Sequence, residues 1–274
     1  MQPEDLERVD APIVEPQFED PLSQVAPPPD LMFTQPQLER TPFWDYFDLL
    51  LIIGLSFVSL LIAYVAIGGW IHFHPALKGD MMQFALPLQF VAYALIYLSF
   101  FLVFKLKYDR PVLASLGFHR TRYSLAAAGA GGVLLAFGIG IVANFIHTPK
   151  VDTPFDQLVK TPLSFALLAL TAIVAAPLFE EMMFRGFLQP LVSRTLGPVL
   201  GILLTAVLFG GLHASEYEFA WQYVAAITIV GLALGILRAK TDSTLPGTVM
   251  HGCFNAVSVV GLFATKYLPH LSHK

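Results

Sequence analysis

Two adjacent carboxylates and a guanidinium sit in one of the most apolar runs of the chain, LFEEMMFRGF (residues 178–187), as Glu180, Glu181 and Arg185. An ionisable group inside a membrane helix costs at least about 2.5 kcal/mol, so it normally faces the interior of a helix bundle and acts there. Four positions invite comparison with the glutamates: Arg185 itself, His213 in FGGLHASEY, and His251 and Asn255 in HGCFNA. A carboxylate held away from water is a stronger base than a solvated one. Beside histidines it could deprotonate a water for attack on an amide, while a histidine and an asparagine NH₂ hold the developing oxyanion. That chemistry is peptide hydrolysis within a membrane.

Helix geometry divides these residues. Glu181 and Arg185 are four apart, in the order that favours an ion pair on one face. Glu180 points about 100° away from Glu181 and is left for chemistry. His251 and Asn255 share a face, as do Phe209 and His213. Gly197 and Pro198 make the likeliest reversal between two apolar segments, and Glu180 and His213 each lie 16 residues from it, Glu180 counted to Leu196 and His213 from Gly197. At about 1.5 Å per residue both are about 24 Å from the same turn, hence level with each other. A second reversal falls at KTDSTLP, with Thr241 or Ser243 as cap and Pro246 in the first turn of the next helix. All four chemical side chains can then meet in the cytoplasmic half or middle of the membrane.

The elements that must position them are membrane helices. The 274 residues are 55% hydrophobic and 13% charged, with a mean hydropathy of +0.65, far from a soluble balance. Apolar segments long enough to span occur near 47–69, 81–104, 125–146, 163–192, 198–214, 221–239 and 246–267. They lack strict alternation and most exceed a barrel strand, so the expected fold is all-α, a polytopic transmembrane bundle of about seven spans, with room for an eighth half-buried segment around 110–120. Lys105, Lys107, Arg110, Arg120, Arg122, Arg194, Arg238 and Lys240 fall at alternate ends, which places those ends and the N-terminus in the cytoplasm.

Residues 1–42 hold 9 of the 20 prolines, many acids, and only Arg8 and Arg40 as bases, and read as a disordered tail ahead of a helical domain over 43–274. The net charge of −4 comes mostly from this tail, and nothing points to nucleic acid. The single cysteine, Cys253, excludes an internal disulfide and a cysteine metal cluster, and reads as a packing residue. His72, His74, His147, His270 and His273 read as packing or hydrogen-bonding residues, Trp44, Asp45 and Asp48 as interfacial anchors, and the glycines of AAAGAGG as sites of close helix packing.

EEMMFR, FGGLH and HGCFN fit the motifs E-E-x-x-x-R, F-x-x-x-H and H-x-x-x-N in order. Together they resemble the CAAX protease and bacteriocin-processing (CPBP, or Abi) family of intramembrane endopeptidases, related to the type II CAAX prenyl endopeptidase. The likeness covers about residues 163–260, and SLGFHR before the third span is similar to a weaker family feature. It implies a glutamate-dependent protease with Glu180 activating water, His213 assisting, and His251 and Asn255 holding the oxyanion. It also implies a membrane-associated peptide or protein substrate, prenylated proteins being one class. Glu180, His213 and His251 could make a zinc set, and such proteins are often labelled metalloproteases. H-E-x-x-H is absent, however, and the reading is metal-free. Two rival classes are a non-catalytic scaffold or self-immunity protein, and a proton-coupled transporter, for which paired halves and broken helices would be expected.

Overall fold

The computed structural model describes residues 42–74, 85–151, 159 and 161–267; the proline-rich segment read as a disordered tail lies outside them apart from Pro42. The chain divides into two units, Met1–Glu39 and Arg40–Lys274, and the described helices belong to the second. Among the described residues all regular structure is helical. The helices are α1 (Tyr46–Phe73), α2 (Ala85–Leu102, continued by a π turn Val103–Lys107), the single turn α3 (Val112–Ser115) and α4 (Leu125–Phe145). After α4 come α5 (Pro162–Leu196), α6 (Pro198–Leu212), α7 (Trp221–Thr241) and α8 (Leu245–Tyr267). The seven expected spans all appear. Six are long and apolar enough to cross a bilayer, and α6 is shorter. The eighth segment is α3, one turn closed by Gly117 at φ +80°.

Why this is a membrane fold is plain on α1. Ile52, Ser59 and Ala63 form a narrow buried stripe, while Phe47, Leu50, Phe57, Leu61 and Tyr64 all project outward. A helix apolar on every side, with its backbone bonds satisfied internally, is stable where its outer face meets hydrocarbon. The protein is accordingly an integral, multi-pass membrane protein.

Local signals set the helix ends. Asp45 caps α1 by accepting from Phe47 and Asp48 amides, and Asp48 accepts from the Asp45 amide in return. Thr161 and Ser164 do the same for α5, with Pro162 at its first position. Gly197 turns α5 into α6 at φ +84°, a conformation that favours glycine, and Pro198 opens α6, as the sequence predicts. Ser243 Oγ accepts from the Leu245 amide at 3.3 Å to start α8.

Helix α4 packs along α8, α6 against α7, and α1 against α2. Within AAAGAGG, a Cβ on Gly132 would overlap the carbonyl of Met250, so the two backbones touch there, and Gly129 faces Cys253. At one end of the bundle, Thr244 donates to the Leu116 carbonyl at 2.6 Å and Ser243 to that of His119 at 2.7 Å. This end gathers the SLGFHR segment, the α7–α8 turn and the end of α2.

Two of the residues read as interfacial anchors make buried tertiary contacts. Asp48 is fully buried and receives hydrogen bonds from Lys107 (2.6 Å) and Tyr108. Trp44 is 3% exposed, donates its indole N–H to the Phe187 carbonyl at 3.1 Å and stacks on Phe187. Both lock α1 to α2 and α5.

Candidate active site

Helix α5 is interrupted twice without breaking, by π turns at Thr171–Ala175 and Met182–Leu188 that flank Glu180 and Glu181. Pro177 follows the first; having no N–H, it cannot bond back to the Ile173 carbonyl. Single π turns of this kind are frequent at functional sites. Helix α8 docks on the carbonyls exposed there. Asn255 donates Nδ2–H to the Ala172 carbonyl at 2.8 Å. Gly252 packs over the Ile173 carbonyl, where a Cβ would come within 2.5 Å of its oxygen.

One helical stretch further along α5, Glu181 and Arg185 are buried at 0% and 1% exposure and paired at 2.8 Å. Arg185 also donates to the Gly231 carbonyl at 3.0 Å and lies 4.5 Å above the centre of the Phe209 ring. Gln189 repeats the pattern one turn on, donating to the Gly235 carbonyl at 3.0 Å. The pair therefore also ties α5 to α7 and α6.

Glu181 has a second partner. Its Oε1 lies 3.3 Å from His251 Nδ1, and His251 Nε2 lies 3.8 Å from Glu180 Oε2. A carboxylate paired to arginine only accepts, so Nδ1 carries the proton and Nε2 is the nitrogen presented to Glu180. His213, at the C-cap of α6, stands in the same state: its Nδ1 lies 2.8 Å from the Phe209 carbonyl, which also only accepts. Phe209, 1% exposed, touches both imidazoles, with ring centres 4.7 Å from His213 and 5.8 Å from His251.

The structure thus brings Glu180, Glu181, Arg185, Phe209, His213 and His251 into one cluster. It holds Asn255 beside that cluster by one of its two amide protons. Three residues lie within electrostatic reach of Glu180 that motif reading missed: Tyr93 on α2, stacked on Phe179 at 4.3 Å, and Glu216 and Tyr217 in the single 3₁₀ turn Ala214–Tyr217 after α6. An acid three residues after His213 was the available signal for Glu216; a lone tyrosine in an apolar span offers none. Burial raises the Glu216 carboxyl above its ordinary value, His213 pulls it down, and Glu180 adds to the rise. For a metal, the donors would be Glu180, His213 and His251, but no three His, Cys, Asp or Glu side chains among the described residues stand in a metal-holding group.

Residues 162–257 match the model of one family, type II CAAX prenyl endopeptidase Rce1-like. The match is consistent with the related CPBP family that the three motifs resemble, and the matched segment contains every residue of the cluster together with Asn255 and Glu216, while Tyr93 lies outside it. The Rce1-like match supports a CAAX-type intramembrane protease acting on a membrane-embedded peptide or protein. No curated protein and no solved structure matches the chain.

Proposed function

We propose that the protein is a metal-independent intramembrane endopeptidase in which Glu180 activates water, with its N-terminus in the cytoplasm. The observation that carries this reading is the Glu180–His251 arrangement: a carboxylate oxygen and an imidazole Nε2 at 3.8 Å, with the ring held from behind by Glu181. That separation is too long for a direct strong hydrogen bond, but a water about 2.8 Å from each atom fits the gap. Glu180 takes a proton from this water as its oxygen attacks the peptide carbon, aided by His213. The tetrahedral oxyanion accepts hydrogen bonds from the Asn255 amide proton not used on Ala172 and from Nε2–H of His251 in its imidazolium form, in which both ring nitrogens donate. Glu180 then returns the proton to the leaving nitrogen, the C–N bond breaks, and a new carboxyl and a new amine result.

A peptide must be locally unwound before its carbonyl can be attacked, so chain ends and helix-breaking segments are the favoured substrates. An open groove of about 550 Å³ lies between α4 and α8, lined by Phe137, Asn144, Phe254 and Ser258. Prenylated CAAX peptides are the substrate class to try first.

The test uses the purified full chain in detergent, with a farnesylated CAAX peptide, its unprenylated form and an apolar leader peptide, and reads product termini by mass spectrometry. Glu180→Gln is expected to lower cleavage by about 10²–10⁴-fold, and chelators to leave the wild type unchanged. Cleavage that survives Glu180→Gln overturns the mechanism; loss on chelation, restored by zinc, overturns its metal independence.

A further inference from the structure

SLGFHR, the segment before α4 to which the mechanism gives no task, is wedged between the two helices that carry Glu180 and His251. Its Leu116 carbonyl lies against Gly186 of α5, where a Cβ would come within 2.8 Å of the oxygen. The same carbonyl accepts the Thr244 hydroxyl, at the start of α8, at 2.6 Å. The next one, of Gly117, accepts the Thr244 amide at 2.8 Å. A Cβ on Gly117 would lie 2.9 Å from Thr244 Oγ1 and 3.1 Å from Arg238 Nη2, at a φ of +80°, so space and backbone both ask for glycine. Leu116, Ser243 and Thr244 are each 0% exposed, which leaves the Leu116 carbonyl no water to replace a lost donor.

This wedge sits close to the chemistry on both helices. Gly186 follows Arg185 within the π turn Met182–Leu188, one residue from the guanidinium that pairs with Glu181. On α8 the Thr248 amide donates to the Thr244 carbonyl at 3.0 Å, which makes Thr244 the cap of the helix. Gly247, His251 and Asn255 follow it by three, seven and eleven residues, and so share its face. Asn255 fastens that face to α5 at the Ala172 carbonyl, and Thr244 fastens it at the other end through Leu116. His251 stands between the two fastenings, about 6 Å from one and about 10 Å from the other along the helix.

We propose that Thr244 is a positioning residue of the candidate site: by holding Leu116 against Gly186 it sets where His251 stands relative to Glu180. The catalytic consequence rests on the endopeptidase reading, whereas the fastening of α8 does not. His251 has little latitude, with Nδ1 3.3 Å from Glu181 Oε1 and Nε2 3.8 Å from Glu180 Oε2. A shift of about 1 Å at the start of α8 would forfeit one of these approaches, and a misplacement of that size can cost about a hundredfold in rate.

The experiment uses the full-length protein in detergent and has two readouts. Thr244→Val keeps the shape and removes the hydroxyl; Thr244→Ser keeps the hydroxyl. Hydrogen exchange, read by mass spectrometry, should be about tenfold faster over residues 244–251 in Thr244→Val, with α1 and α6 unchanged and Thr244→Ser close to wild type. On the farnesylated CAAX peptide, Thr244→Val should lower kcat by roughly tenfold to a hundredfold with KM little changed, and Thr244→Ser should restore it. Unchanged exchange over 244–251 overturns the proposal, as does a Thr244→Ser as slow as Thr244→Val. So does a wild-type kcat for Thr244→Val in a preparation where Glu180→Gln is inactive. A Thr244→Val protein that opens throughout, or does not fold, makes Thr244 a residue of overall stability and overturns it too. If the wild type cleaves no peptide, it is the endopeptidase reading that fails, and the exchange still decides whether Thr244 fastens α8.

Discussion

Replacing Arg185 with methionine keeps most of the side-chain volume and removes three interactions at once. These are the 2.8 Å bond to Glu181, the 3.0 Å bond to the Gly231 carbonyl and the guanidinium over the Phe209 ring at 4.5 Å. What decides the magnitude is the residue left behind. Glu181 is wholly buried, and without Arg185 it keeps only His251, at 3.3 Å. Breaking a buried pair by removing one partner costs about 3–5 kcal/mol, because the other charge stays uncompensated. Glu181→Gln should cost a similar amount by stranding the guanidinium. The double variant, Glu181→Gln with Arg185→Met, strands neither charge and should be no less stable than either single, a non-additivity of about 3 kcal/mol. The measurement is unfolding of the full chain in mixed micelles of rising SDS fraction, followed by tryptophan fluorescence. Single variants within about 1 kcal/mol of wild type, or a double variant equal to the sum of the singles, would refute the mutual neutralisation of this pair.

Two further outcomes follow from the packing and the site. Gly132→Ala places a methyl onto the Met250 carbonyl and should cost about 1–3 kcal/mol, whereas Gly138→Ala on the same helix meets no atom within 4 Å and should be neutral or slightly stabilising; equal unfolding midpoints would show that α4 does not touch the α8 backbone. Folding raises the Glu216 carboxyl above its ordinary 4.5, chiefly by burial. A carboxyl so raised contributes stability that is complete below the unfolded value and fades as pH climbs through the folded one. The stability of wild type relative to Glu216→Gln should therefore fall as pH rises above the ordinary 4.5, and a difference that is flat or grows with pH contradicts the burial argument.

Much of the arrangement could be read from residue order because it depends on quantities that sequence carries directly. Span length, the Gly197–Pro198 reversal and the i, i+4 spacing of Glu181 and Arg185 are local. Other features depend on how helices cross. His251 bonds to Glu181 as well as facing Glu180, so Glu181 is shared between a structural pair and the orientation of a chemical side chain, a double use that periodicity on α5 does not reveal. Trp44 and Asp48 carry the composition of interfacial residues and are buried because Lys107, Tyr108 and Phe187 close over them. The π turns have no residue preference strong enough to read; Pro177 and Pro190, inside an apolar run, are their only trace.

Those π turns explain why the third motif has the spacing it has. Helices α5 and α8 run antiparallel: Ala172 meets Asn255, Ile173 meets Gly252, and Glu181 meets both His251 and Gly247. From Ala172 to Glu181 is nine residues, about 13 Å of helix, and from Asn255 back to Gly247 is eight, about 12 Å, so the two contacts register against each other along the helix pair. Asn255 secures one end by bonding a carbonyl within the π turn that Pro177 follows. Gly247 permits the other end, since a Cβ there would lie 2.9 Å from Glu181 Oε2. Between them His251, four residues from either, is left one position in which Nδ1 reaches Glu181 while Nε2 faces Glu180. The asparagine of H-x-x-x-N therefore helps set where the histidine stands, and the irregular turn of α5 is what gives that asparagine something to hold.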